Sequence, residues 1–203
     1  MLSPRIIVQC AVQIVIVLFS KILLQPFTRR DYSLVDKNAI KNIPHLLIGN
    51  HRRGSDPFAL CSILPWASIL KILPIGFMTH NVFYDSPLRP LLWLAGCYPA
   101  KSPKGQHKLF GIEGSLKLIK EGYSICIFPE GTRIRKPGRG EAHWGVIKIH
   151  AASQNTPFIL AHIEYKPGIK AWFTFNRRII RYKLIENPQF DNPELIMDEI
   201  FSL

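Results

Sequence analysis

His51 and Asp56 are the residues of this chain best suited to moving a proton, and their spacing limits how they can meet. They lie in Leu46-Leu47-Ile48-Gly49-Asn50-His51-Arg52-Arg53-Gly54-Ser55-Asp56-Pro57, where an apolar run empties into Asn50-His51 and an acid follows five positions after the histidine. On a continuous helix, residues five apart point roughly 140° away from each other, so the imidazole and the carboxylate would not touch. A loop relaxed by Gly54 lets them touch. The apolar run predicts a short buried strand over 45–49, ended by Gly49-Asn50. Asp56-Pro57 predicts a helix start, with Asp56 as N-cap and Pro57 in the first helical position. The pair then falls in a strand-to-helix loop, where α/β proteins place their chemistry. A carboxylate against one imidazole nitrogen sets the tautomer and frees the other nitrogen to take a proton from a hydroxyl. Taken alone, the same spacing more commonly describes a helix cap beside an ordinary loop histidine.

A second cluster ends a later strand: Phe128-Pro129-Glu130-Gly131-Thr132-Arg133. Gly-Thr-Arg at a strand end offers backbone N–H groups, a hydroxyl and a forked guanidinium in one place, a set that suits a phosphate oxyanion. The stretch from Ile134 to Gly145, with Arg135, Lys136 and Arg139 among its glycines and prolines, reads as a lid, a membrane-facing loop or a solvated loop.

The elements that must position these groups follow from the rest of the chain. Its 203 residues are 47% hydrophobic, enough for one core and a single globular domain. Twenty-six Lys+Arg against 14 Asp+Glu leave a net charge of +12. That balance favours an anionic partner: a phospholipid surface, an acidic carrier, a phosphorylated substrate or nucleic acid. A mean hydropathy of +0.10 points to lipid contact. Cys10, Cys61, Cys97 and Cys126 are scattered, so the pattern suggests neither a disulfide framework nor a zinc site.

Residues 6–24 would form a helix of roughly 28 Å, close to the hydrocarbon thickness of about 30 Å. Gln9, Gln13 and Ser20 fall within roughly 40° of one another on a helical wheel, and Arg5 joins them. A polar stripe on an otherwise apolar helix suits a segment lying in the membrane interface, or a span packed on one side against protein. No small-x-small cleavage site follows, and Lys21, Arg29 and Arg30 favour the cytoplasmic side for what comes next. From residue 45 the chain alternates apolar runs with helical patterns. Strands are predicted at 45–49, 69–78 (broken by Pro74), 97–100, 123–128, 157–163, 169–175 and 178–185. Helices are predicted at 57–66, 87–95, 106–121, 144–154 and 193–202. The fold class is therefore α/β, a mostly parallel sheet flanked by helices, with an N-terminal membrane-associated helix.

Asn50-His51-x4-Asp56 followed by Phe128-Pro129-Glu130-Gly131-Thr132-Arg133, in this order and spacing, resembles the PlsC family of glycerophospholipid acyltransferases. The resemblance covers roughly residues 40 to 165 and divides the chain into a membrane-associated helix, 1–28, and an acyltransferase domain, 29–203. It implies transfer of a fatty acyl group from acyl-CoA or acyl carrier protein to a lysophospholipid hydroxyl, most simply lysophosphatidic acid, with no covalent acyl-enzyme and no bound cofactor or metal. It makes His51 the general base and Asp56 its orienting acid. It assigns Glu130, Gly131, Thr132 and Arg133 to the acceptor phosphate, Glu130 in a less defined role. Two family blocks match imperfectly. Gly96-Cys97-Tyr98-Pro99-Ala100-Lys101 ends in lysine where the family usually has a phosphate-contacting arginine, so Lys101 keeps the charge without the planar fork and is a candidate phosphate contact, and Leu160 replaces a second proline after Pro157. Arg53 stands where the family often has serine and is a candidate head-group contact; His80 stands where lysine is common. The expected partners are a phospholipid membrane, the lysolipid and the thioester donor. The competing readings are the same fold acting on another lysolipid, a non-catalytic lipid binder, and a nucleic-acid binder suggested by charge alone, which lacks any recognised module.

Overall fold

The structure, a computed structural model, describes residues 3–34, 39–41, 43–101, 109–134, 138–153, 156–166 and 178–203. Helix α1 (Pro4–Leu24) leads through a 3-10 turn (Gln25–Phe27) into strand β1 (Thr28–Leu34). Strand β2 (Leu46–Gly49) precedes helices α2 (Asp56–Ile63) and α3 (Trp66–Ile72). Strand β3 (Ile75–Thr79) is followed by the short helices α4 (Asn81–Tyr84) and α5 (Arg89–Leu94), then strand β4 (Cys97–Pro99). Next come α6 (Phe110–Lys120), β5 (Ser124–Ile127), α7 (Gly145–Ala152), β6 (Phe158–Tyr165), β7 (Arg178–Ile185) and α8 (Pro193–Ser202).

The strands form one seven-stranded sheet in the order β1-β7-β6-β2-β5-β3-β4. All neighbours are parallel except β6 and β7. β2 is central, with Leu46 opposite both Ile125 and Phe158. Side chains alternate across a strand, and here both faces are covered. Leu47, Cys126 and Ile159 join the core under α2 and α3, whereas Leu46, Ile48, Ile125 and Phe158 join the core under α6, α7 and α8. Leu46, Leu47 and Ile48 are wholly buried, each burial contributing about 1.5–3 kcal/mol. That burial holds β2 in the centre of the sheet, and the His51 loop begins where the strand ends at Gly49.

The mostly parallel α/β sheet agrees with the sequence reading, but several elements differ from it. Residues 69–72 belong to α3 rather than to a strand. Ile69 and Ile72 are buried while Leu70 is 53% exposed, a helical period that the apolar run conceals. The helix expected at 57–66 ends at Ile63, before Pro65. Its N-cap is Ser55, without a side-chain capping bond; Asp56 is in the first turn. β1 was not anticipated: Thr-Arg-Arg-Asp reads as a basic flank, and an edge strand needs no apolar alternation. β7 and α8 have the predicted bounds. The strand expected at 169–175, and with it Lys104, His107, Lys108, Arg135, Lys136 and Arg177, lies outside the described residues.

Helix α1 presents its polar stripe to the protein. Gln9, Gln13, Ser20 and Lys21 are buried, while Ile7, Val15, Phe19, Ile22 and Leu23 are each more than half exposed. Gln13 Nε2 donates to the carbonyls of Ile75 (2.7 Å) and Ala95 (2.9 Å), and its Oε1 accepts from Ile75 N–H (2.9 Å). Gln9 Nε2 donates to Trp93 O, and Lys21 Nζ to Leu64 O at 2.7 Å. Lys21 is thus withdrawn from the basic flank, leaving Arg29 and Arg30 exposed there. The helix is long and apolar enough to cross a membrane by length and composition. Gln13→Leu is expected to leave the buried N–H and carbonyl of Ile75 without their glutamine partner, at about 1–3 kcal/mol for each group, and to take a bond from the half-buried Ala95 carbonyl. For a chain of this size that lowers the unfolding temperature by about 2–4 °C per kcal/mol. Thermal unfolding in detergent checks it; an unchanged midpoint would mean that the stripe does not anchor α1.

Candidate active site

β2 and β5 are adjacent and parallel, so the loops leaving their C-terminal ends emerge side by side. The first carries His51 and the second carries Phe128–Arg133. Both backbone groups of His51 are held by the second loop: its N–H donates to Glu130 Oε2 (2.6 Å) and its carbonyl accepts from Ile134 N–H (2.8 Å). The His51 ring stacks on Phe128, with centroids 4.3 Å apart and planes 20° apart.

Asp56 is completely buried behind the imidazole. Its Oδ2 lies 3.2 Å from His51 Nδ1 and accepts the N–H groups of Arg52 and Arg53, each at 2.6 Å. Placing the acid in the first helical turn also suits the positive end of the helix dipole. With Nδ1 turned to Asp56, Nε2 is the nitrogen left to the cavity. Gly54 and Ser55 form the turn into α2, and Asn50, fully buried, ties the loop to β6 through Ile163 N and O (2.6 and 3.0 Å).

The imidazole faces a cavity of about 980 Å³. Gly131, Thr132 and Arg133 stand on its wall with His51, and all three are solvent-exposed. The remaining lining is largely apolar, from Val17 of α1, Phe58 of α2, Phe77 of β3 and Leu92 of α5 among others. Val82, Phe83 and Leu88 line it and are each more than half exposed, so the open edge is apolar too. Gly131 turns the chain with φ +63°, and a Cβ there would lie 2.8 Å from His143. Both the backbone conformation and the lack of space call for glycine.

Three sequence candidates sit elsewhere. Glu130 is buried, its carboxylate spanning the N–H groups of His51 and Gly140 (2.6 and 2.9 Å), so it braces the two loops instead of lining the cavity. Lys101 is exposed beyond the lining residue Ala100, its backbone paired with the Asn81 side chain. Arg53 lays its guanidinium over the Tyr165 ring, 4.4 Å from the centroid, and is not part of the lining. Tyr165 had no signal in the sequence, and Phe128 stood out only as the first residue of the second cluster, because nothing local links either aromatic ring to the pair it touches. Cys61, Cys97 and Cys126 line the cavity. Burial pushes all three thiols up, Cys61 to about 12, so they stay protonated at neutral pH and are poor nucleophiles.

A family model described as Acyltransferase matches residues 33–162, a stretch holding both motifs. The chain belongs to the acyltransferase family. A Mycoplasma pneumoniae protein named "Probable 1-acyl-sn-glycerol-3-phosphate acyltransferase" is 26% identical to this acyltransferase-family chain over 112 residues, 54% of this chain and 41% of that protein. A Mycoplasma genitalium protein of the same name is 28% identical over 115 residues, covering 57% and 42%. The matched stretch thus spans about two fifths of each of these relatives. The fold is also that of the crystal structure of the 1-acyl-sn-glycerophosphate (LPA) acyltransferase, PlsC, from Thermotoga maritima. The two superpose with a TM-score of 0.62 over 94% of this chain and 75% of that one, at 13% identity.

Proposed function

We propose that this acyltransferase-family chain moves a fatty acyl group from a thioester, acyl-CoA or acyl carrier protein, to the free hydroxyl of lysophosphatidic acid, yielding phosphatidic acid. The observation that carries the reading is that His51, backed by buried Asp56, and Arg133 line one cavity whose other walls are mostly apolar. The names of the Mycoplasma relatives support the same acceptor.

In this reading Gly131, Thr132 and Arg133 hold the acceptor phosphate at the rim, and the apolar walls take acyl chain. His51 Nε2 accepts the hydroxyl proton as the oxygen attacks the thioester carbonyl, and Asp56 stabilises the imidazolium. The C–O bond forms and the C–S bond breaks. The departing thiolate then takes the proton back from His51, returning the base to its starting state. The protonated cysteines fit direct transfer without an acyl-enzyme. The outward apolar face of α1 and the apolar cavity edge rest against a phospholipid leaflet, with exposed Arg29 and Arg30 on the cytoplasmic side.

The test is to incubate membranes containing the chain with a panel of lysolipids and two thioesters, palmitoyl-CoA and palmitoyl acyl carrier protein, and to identify products by mass. Phosphatidic acid formed together with free thiol is the expected result. Thioester left unconsumed with every acceptor would overturn the proposal.

A further inference from the structure

We propose that Tyr165 is a positioning residue for the His51–Asp56 pair: its hydroxyl takes Asp56 Oδ1, which leaves Oδ2 to the imidazole and the loop amides. The inference rests on the reading of His51 as the base. The Tyr165 hydroxyl donates to Asp56 Oδ1, while His51 Nδ1 and the N–H groups of Arg52 and Arg53 all meet Oδ2. A carboxylate held at both oxygens has one rotamer, so the imidazole has one orientation.

The fold brings the tyrosine there by extending a strand. β6 pairs with β2 only as far as Gly49 and Ala161. Beyond that point the Asn50 amide imitates a strand, bonding both N–H and carbonyl of Ile163. Ile163 and Tyr165 share a face by strand alternation, and Ile163 belongs to the core beneath α2, against which Tyr165 also packs. Tyr165 is therefore delivered to the start of α2, under the Arg53 guanidinium and beside that of Arg178 at 5.7 Å. Burial first, and the neighbouring Asp56 carboxylate second, push its phenol above the ordinary tyrosine range, so it remains a donor at neutral pH.

The consequence is a defined pH effect. A phenol bonded to Asp56 draws charge from the carboxylate and lessens its hold on the imidazolium. Removing the hydroxyl strengthens that hold, so the acid limb of the kcat/KM profile moves up. The other charged and titratable groups around the pair stay in place: Arg52 and Arg53 on its own loop, the latter over the ring that phenylalanine keeps, Glu130 and Arg133 from the second loop, Cys126 from β5 and Arg178 from β7.

The experiment uses the full chain in membranes with lysophosphatidic acid and palmitoyl-CoA. Tyr165→Phe is expected to lower kcat roughly tenfold, to leave both KM values within about twofold, and to raise the acid limb by about half a pH unit. A purely structural tyrosine would lower thermal stability and the yield of active protein without moving that limb, and an unmoved limb overturns the proposal. Should Tyr165→Phe not fold, 3-fluorotyrosine placed at 165 keeps the ring and makes the hydroxyl a stronger donor. The limb then moves down, and an unmoved limb again overturns it. His51→Ala in the same assay separates the layers. Retained activity there removes the base itself, whereas an inactive His51→Ala with a wild-type limb in Tyr165→Phe removes only the role of the tyrosine.

Discussion

His51→Ala is expected to reduce acyl transfer by about 10²–10⁴-fold, the range that a positioned general base supplies. Folding and membrane association should be retained, for a reason visible in the hydrogen bonds around Asp56. Without the imidazole, the buried carboxylate keeps the Arg52 and Arg53 amides and the Tyr165 hydroxyl. The backbone of residue 51 still meets Glu130 and Ile134, neither of which depends on the side chain. Asp56→Ala is the poorer probe, because it strips partners from two amides and a phenol at once. Rates with lysophosphatidic acid and an acyl thioester, measured beside thermal unfolding, check the prediction; a His51→Ala enzyme within tenfold of the parent would reject His51 as the base.

Arg133→Met keeps the length and apolar stem of the side chain and removes its charge. Hydrogen bonds to charged groups are worth about 1.5–3 kcal/mol, so kcat/KM for lysophosphatidic acid should fall about 10–100-fold, mainly through KM. Monoacylglycerol, which offers a hydroxyl and no phosphate, should be used equally well by both forms. Arg133 is suited to this comparison because its side chain stands exposed on the cavity wall, whereas His51 is held by the Glu130 carboxylate and the Ile134 backbone N–H. A loss of the same size on both acceptors would show that Arg133 serves the cavity wall rather than a phosphate.

The two predictions probe residues that one parallel strand pair brings together. β2 and β5 lie side by side, so a loop starting at Gly49 and one starting at Phe128 open into the same hollow. This adjacency puts the His51–Asp56 pair and the exposed Arg133 side by side. The hydrogen bonds between His51, Glu130 and Ile134 make the two motifs a single unit. The neighbouring α1 contributes a wall through Gln13, Ile16, Val17 and Ser20, so the helix that carries the exposed apolar face also borders the cavity.

What was determined locally was legible in the residues themselves. The run Leu46-Leu47-Ile48 ending in Gly49-Asn50 specified a strand and its exit, and the acid five positions on specified a loop between them. The strand predicted at 178–185 and the helix predicted at 193–202 coincide with β7 and α8 to the residue. Gln9, Gln13 and Ser20 marked a polar face on α1, although its direction, into the protein, required the carbonyls of Ile75, Trp93 and Ala95 to be in place. Where one residue serves two patterns, the sequence misled: the apolar run at 69–72 conceals the helical burial of Ile69 and Ile72, and the arginines of β1 hid an edge strand. The partners of the pair were beyond reach for a different reason. Glu130 meets His51 across 79 positions and Tyr165 meets Asp56 across 109, contacts that exist only because β5 and β6 flank β2. A side chain's type and local spacing decide which chemistry it can perform; the order of strands in the sheet decides which distant groups hold it steady.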